Sequence, residues 1–190
     1  MKRYPKWMQN GFVSSVFFLA IVSGPVCAND IIVKNANAEI VNDMVLVNAD
    51  ASFDFSEDAL NTLNSGIPIT IELDIRITRP RNYLWDPELL STHREYSIQR
   101  HALSEQFILT ELITGDRHIH GSLELAIDDL GRIRGLPLAE ISALDNQALY
   151  NISLRIRLDI ESLPAPMIPL AYISPSWHMS SGWYRWKTSL

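Results

Sequence analysis

Three stretches of this sequence alternate apolar and polar residues with a period of two, and that period constrains the fold more than any other feature. From Val45 the odd positions are Val45, Val47, Ala49, Ala51, Phe53 and Phe55, with Asn48, Asp50, Ser52 and Asp54 at most positions between. Ile69, Ile71, Leu73, Ile75 and Ile77 alternate with Thr70, Glu72, Asp74, Arg76 and Thr78. Ile152, Leu154, Ile156, Leu158 and Ile160 alternate with Ser153, Arg155, Arg157, Asp159 and Glu161. Successive side chains of a strand point to opposite faces, so each stretch has one dry face and one wet face. That is the pattern of antiparallel sheets with one side against a core.

Shorter strand signals lie at Ile31–Lys34, Glu39–Val41, Glu95–Arg100, Glu105–Thr114 and Ala171–Trp177, with a turn at Thr114-Gly115-Asp116. Two helices interrupt them. Ser56 caps the first, Glu57 and Asp58 suit its positive end, and Gly66 ends it. The second runs from about Ser122 to Leu130, with Leu123, Ala126, Ile127 and Leu130 on one face and Gly131 after it. A short helical turn fits Leu138 to Leu144, and the Pro-rich Leu163–Pro169 reads as a rigid connector. Apolar strand faces must be buried against another layer. The expected fold is mainly β, a β-sandwich-like or curved antiparallel sheet of eight or so strands, with two short helices.

The first 28 residues read as a cleavable secretory signal. Lys2, Arg3 and Lys6 form a basic start, an apolar stretch runs from Phe12 to Val22, and Gly24-Pro25 precedes Val26-Cys27-Ala28. Cleavage after Ala28 fits the small-residue rule, and an apolar run of roughly 11 residues is too short to span a bilayer. Val26 before Cys27 does not resemble a lipobox, so no lipid anchor is expected. The only cysteine then leaves with the signal, and the mature domain has neither disulfide nor Cys metal site. The remainder of the chain, 29–190, reads as one domain in the periplasm of a Gram-negative cell. Without the three basic residues of the leader it holds 13 Lys plus Arg against 22 Asp plus Glu, a formal charge of −9. Such a domain is not expected to bind nucleic acid, because long-range repulsion opposes approach.

Several blocks carry a resemblance. Asn64-Ser65-Gly66-Ile67-Pro68-Ile69 leads into a strand ending Thr78-Arg79-Pro80-Arg81. His101-Ala102-Leu103-Ser104, Gly131-Arg132-Ile133-Arg134-Gly135-Leu136-Pro137, Ser176-Trp177 and Ser181-Gly182-Trp183-Tyr184 come after it in order. Together these blocks resemble the DUF4390 family of proteobacterial exported proteins. The resemblance implies a signal peptide and genes that often sit beside a two-component sensor kinase of the nitrogen-regulation type. It implies no catalytic residue.

Candidate sites are few. His118 and His120 would share a strand face about 7 Å apart, but a metal site needs a third donor, and only generic candidates such as Asp116 lie nearby. An exposed strand after a turn accounts for them, so no metal and no cofactor is expected. Asp128-Asp129 and Glu57-Asp58 read as solvated helix surface. No Gly-x-Ser-x-Gly elbow or phosphate-cradling loop occurs, and no catalytic residue is assigned. Arg76, Arg79, Arg155 and Arg157 are candidate anion binders, although Glu72, Asp74, Asp159 and Glu161 on the same strand faces favour cross-strand pairing. The carboxy-terminal Trp177, Trp183, Tyr184, Arg185 and Trp186 form the candidate partner-binding segment, since such residues dominate binding hot spots. The alternative is that this tail covers an open sheet edge or the core. The reading is a non-catalytic interaction module whose partner is an inner-membrane protein such as a sensor kinase. Contact with the membrane surface stays open. A small-ligand or envelope-component binder is the alternative, and an enzyme without a local motif comes third.

Overall fold

The computed structural model describes residues 31–80, 88–145 and 148–189. The leader and its cleavage point lie outside the described residues. The first strands are β1 (Ile31–Val41) and β2 (Met44–Phe53), followed by helix α1 (Glu57–Asn64). Four strands come next: β3 (Ile69–Thr78), β4 (Glu88–Arg100), β5 (Phe107–Glu111) and β6 (Arg117–His120). Helix α2 (Leu123–Leu130) precedes β7 (Arg132–Glu140) and β8 (Leu149–Leu158); α3 (Ile168–Ile173) precedes β9 (Tyr184–Ser189).

These strands form two sheets, one of order β1-β2-β7 and one of order β6-β5-β4-β3-β8-β9. Every pairing is antiparallel. The molecule is therefore mainly β, as the alternation requires. The dry faces of the sheets meet in one core. Ile69, Ile71, Leu73, Ile75 and Ile77 of β3 and Ile152, Leu154 and Ile156 of β8 are all at most 2% exposed, beside Val45, Val47 and Ala49 of β2. Burying one such large apolar side chain stabilises by about 1.5–3 kcal/mol, so β3 and β8 are the centre of the fold.

The two longer helices begin where the sequence indicates. Ser56 Oγ accepts from the Ala59 N–H at 3.2 Å, and Ser122 Oγ accepts from the Leu125 N–H at 3.3 Å. The residue after α2 must be glycine for a steric reason, because a Cβ on Gly131 would lie 2.4 Å from the Ala51 carbonyl oxygen. That close approach lets the Ala51 N–H donate to the Gly131 oxygen at 2.9 Å and fixes α2 against β2.

Two features depart from expectation, the Ala171–Trp177 segment and the strand count. Ala171–Trp177 is not a strand: its start completes α3, and Pro175–Trp177 forms a single 3-10 turn. Pro169 sits in the first turn of α3, where a missing N–H costs nothing. β7 and β9 are additional strands. The short helical turn expected around Leu138–Leu144 is present, as a 3-10 turn at Ile141–Ala143. No helix among the described residues is long and apolar enough to cross a membrane.

Candidate functional site

The outer face of the six-stranded sheet gathers most of the charged residues that the alternation leaves on the wet side. Register arranges them in rows across β4, β3 and β8. Glu72 lies between Glu95 and Arg157, Asp74 between His93 and Arg155, and Arg76 between Ser91 and Ser153. Asp74 takes the closest set of contacts: Arg155 Nη2 at 2.6 Å, His93 Nδ1 at 2.9 Å and Arg157 Nε at 3.9 Å. His93 Nε2 meets Glu95 at 3.0 Å, and Arg157 pairs with Glu72. Opposite charges in neighbouring strands thus pair across the sheet, as the strand composition favours.

The ionisation of this face follows from those contacts. Burial pushes the Glu72 carboxyl above the ordinary value, and the Arg157 charge only partly opposes it. Burial pulls Asp74 the same way, but hydrogen bonds from Arg155 and His93 outweigh it and hold the carboxyl below its ordinary value. The hydrogen bond to Asp74 raises His93, against some loss from burial.

Trp183 joins this face from the segment leading into the last strand. Ser180 pairs with Arg157, whereas Tyr184 pairs with Leu154. Three residues on the carboxy-terminal segment therefore oppose two on β8, which is a bulge. Gly182 carries it at φ +63, a conformation that other residues adopt at a cost. The ring of Trp183 then lies 4.6 Å from the guanidinium carbons of both Arg76 and Arg155, within cation–π range. A cleft of about 440 Å³ opens beside it, lined by Arg76, Thr78, Glu88, Asn151, Ser153, Trp183 and Arg185.

The candidate residues divide accordingly. Arg76, Arg155, Arg157, Trp183 and Arg185 come together on or beside this face. Arg79 stands apart, paired with Asp145 at 3.3 Å, and Arg76 pairs with Glu88 at 3.5 Å. All four candidate anion-binding arginines thus already have a carboxylate partner. Tyr184 and Trp186 turn inward, half-buried against the core with ring centroids 6.0 Å apart. Trp177 is a correction: it is 4% exposed and belongs to the core, so it offers no surface to a partner. The 3-10 turn at Pro175–Trp177 aims its ring inward.

A second cluster lies at the far edge of the sheet. The turn at Thr114-Gly115-Asp116 leads into β6, whose alternation puts His118 and His120 on one face. The chain folds back through α2, and the last turn of that helix brings the Asp129 carboxylate to both rings. Asp129 Oδ2 is 2.7 Å from His118 Nδ1 and 3.0 Å from His120 Nε2. Burial would raise the Asp129 carboxyl, but its contacts with His118 and His120 prevail and lower it. The carboxylate that the fold brings to the two rings is therefore Asp129, not Asp116. Asp129 reads as helix surface in the sequence, and no local pattern says that α2 packs over β6. His118 and Asp129 also line a cleft of about 460 Å³ with Glu111, Asp116, Arg132 and Arg134 on its polar side and Leu109, Ile133 and Leu136 on its apolar side.

The family model described as "Domain of unknown function (DUF4390)" matches residues 28–187. The chain belongs to the DUF4390 family. Both clusters of this DUF4390 protein fall within the matched span, as do all its elements except the last two residues of β9. The family description names no activity, so it carries over no residue role. No curated protein and no solved structure matches the chain.

Proposed function

We propose that this DUF4390 protein is a non-catalytic interaction module of the periplasm, and that its partner is an inner-membrane protein such as a sensor kinase. The observation that carries this reading is the convergence of Trp183, Arg76 and Arg155 on the outer face of the sheet. Tryptophan and arginine dominate binding hot spots when they are held rigid, since little side-chain entropy remains to be lost on association. Here Asp74 and Glu88 hold the guanidiniums, and the bulge at Gly182 holds the ring. Export rests on the leader of the sequence, and the sensor-kinase partner on the family resemblance. The cleft between α2, β5 and β7 is what supports the alternative, a small-ligand or envelope-component binder.

Site-specific photo-crosslinking in living cells tests the reading. One probe replaces Arg185, exposed beside Trp183, and a control probe replaces Leu103, 93% exposed in the turn after β4. The expected result is one dominant membrane-protein adduct from position 185 alone, weakened at least about tenfold by Trp183→Ala. No adduct from position 185 in folded, exported protein would transfer the case to the ligand-binding alternative.

A further inference from the structure

We propose that His118, His120 and Asp129 form a binding site for one divalent transition-metal ion of the zinc type. Two imidazole nitrogens and one carboxylate oxygen, from β6 and α2, have their donor atoms within 4.8 Å of one another. Zinc bonds to nitrogen and oxygen are about 2.0–2.2 Å long, so tetrahedral donors around it lie roughly 3.3 Å apart. The Asp129 contacts at 2.7 and 3.0 Å need to open by only about 0.6 and 0.3 Å to admit the ion. Both nitrogens already point at the carboxylate, so the change is a small separation rather than a search through rotamers.

The donor set selects the metal class. Neutral imidazoles suit zinc, copper, iron and nickel, whereas magnesium and calcium prefer oxygen donors alone. Three protein ligands leave a fourth position vacant, and His118 and Asp129 border the cleft between the sheets. The vacant position accordingly faces solvent there, for a water or an anionic ligand. The carboxylate is also set on rigid structure. Ser122 caps the start of α2, and the contact of Gly131 with Ala51 fixes its end two residues beyond Asp129.

A second group of potential donors, Glu72, His93 and Glu95, also has its donor atoms within 4.8 Å of one another but differs in its surroundings. Arg157 already pairs with Glu72, and Arg155 and Arg157 approach the Asp74 carboxylate that binds His93. A dication there would meet two fixed guanidiniums. At Asp129 the ring nitrogens of His118 and His120 occupy the corresponding places, and neutral imidazole is itself a ligand. The two clusters therefore serve as site and control within one chain.

The test is titration of the EDTA-stripped mature protein with Zn²⁺ by calorimetry, alongside Co²⁺ titration by absorption spectroscopy. One saturable equivalent is expected, with the visible bands of four- or five-coordinate Co²⁺. His118→Gln, His120→Gln and Asp129→Asn should each weaken binding by at least about tenfold, and His93→Gln should leave it unchanged. Zn²⁺ should also raise Tm in the parent protein but not in His118→Gln, whose exposed side chain makes that variant the safest to fold. Absence of a saturable equivalent, equal binding by parent and His118→Gln, or loss of binding in His93→Gln would each overturn the proposal.

Discussion

The six-stranded sheet ends in β9 on one side and in β6 on the other, and the two edges are secured by opposite means. Along β9, Tyr184, Trp186 and Thr188 are half-buried, while Arg185, Lys187 and Ser189 face solvent. The segment before it is anchored by buried Trp177 and Met179. This edge is held by apolar side chains reaching into the core, and its outward Arg185 and Lys187 discourage pairing with another copy. β6 is four residues long, and its Ile119 is 64% exposed. It is held by its hairpin and by the polar tie from His118 and His120 to Asp129 on α2. An edge secured through the core can present a broad, rigid surface. An edge secured by a polar tie concentrates donors at one point.

The largest effect that would sharpen this contrast is in stability. Trp177→Ala should cost about 3–5 kcal/mol in urea unfolding, whereas Ile119→Ala should stay within about 0.5 kcal/mol. Comparable losses at the two positions would erase the distinction between the edges. A smaller effect is expected at the bulge. Gly182→Val forces a β-branched residue to φ +63 and should cost about 1–2 kcal/mol, with a change in the fluorescence of Trp183 as the ring leaves its guanidiniums. Unchanged stability and emission would show that the bulge does not depend on this glycine.

The smallest effect is a pH dependence on the outer face at β4, between the two edges. The hydrogen bond to Asp74 raises the pKa of His93 above its ordinary 6.5, so the protonated ring stabilises the folded state. That contribution is complete below the ordinary value and is lost as pH rises through the higher folded value. Between about pH 6 and 8, His93→Gln should lose less stability than the parent, by under about 1 kcal/mol because the site is partly exposed and screened. A steeper loss in the variant would reverse the assignment.

The sequence announces β2, β3 and β8 because each buries one face continuously, and period-two burial needs no knowledge of partners. β7 is concealed by two irregularities in its pairing with β2. Gly135 at φ +60 and Pro137 break its alternation, and both are tolerable because β7 is an edge strand. The Tyr184–Ser189 alternation is present in the sequence, but its aromatic residues read more readily as a binding surface than as a strand. Ala171–Trp177 misleads in the other direction, since Pro169 and Pro175 set helical turns in an apolar stretch. Of the candidate site, the arginines and the aromatic tail are visible only as separate groups. Their meeting depends on the β3–β8–β9 register, which joins segments far apart in the chain. Asp129 is hidden for a related reason: its role depends on where α2 packs.

The pairing of β3 with β8 also governs the order in which this protein can assemble. Asp74 and Arg155, opposite one another at the middle of the sheet, are 81 residues apart in sequence. Closing so long a loop is slow, and contacts of this separation delay folding relative to local hairpins. While the chain is synthesised, β3 can pair with β4, but its other flank stays open until β8 emerges. The strand at the centre of the core thus stays half-assembled until β8, late in the chain, has been made. A sheet wired in this way cannot close around an incomplete chain, because the second flank of its central strand is supplied only by β8.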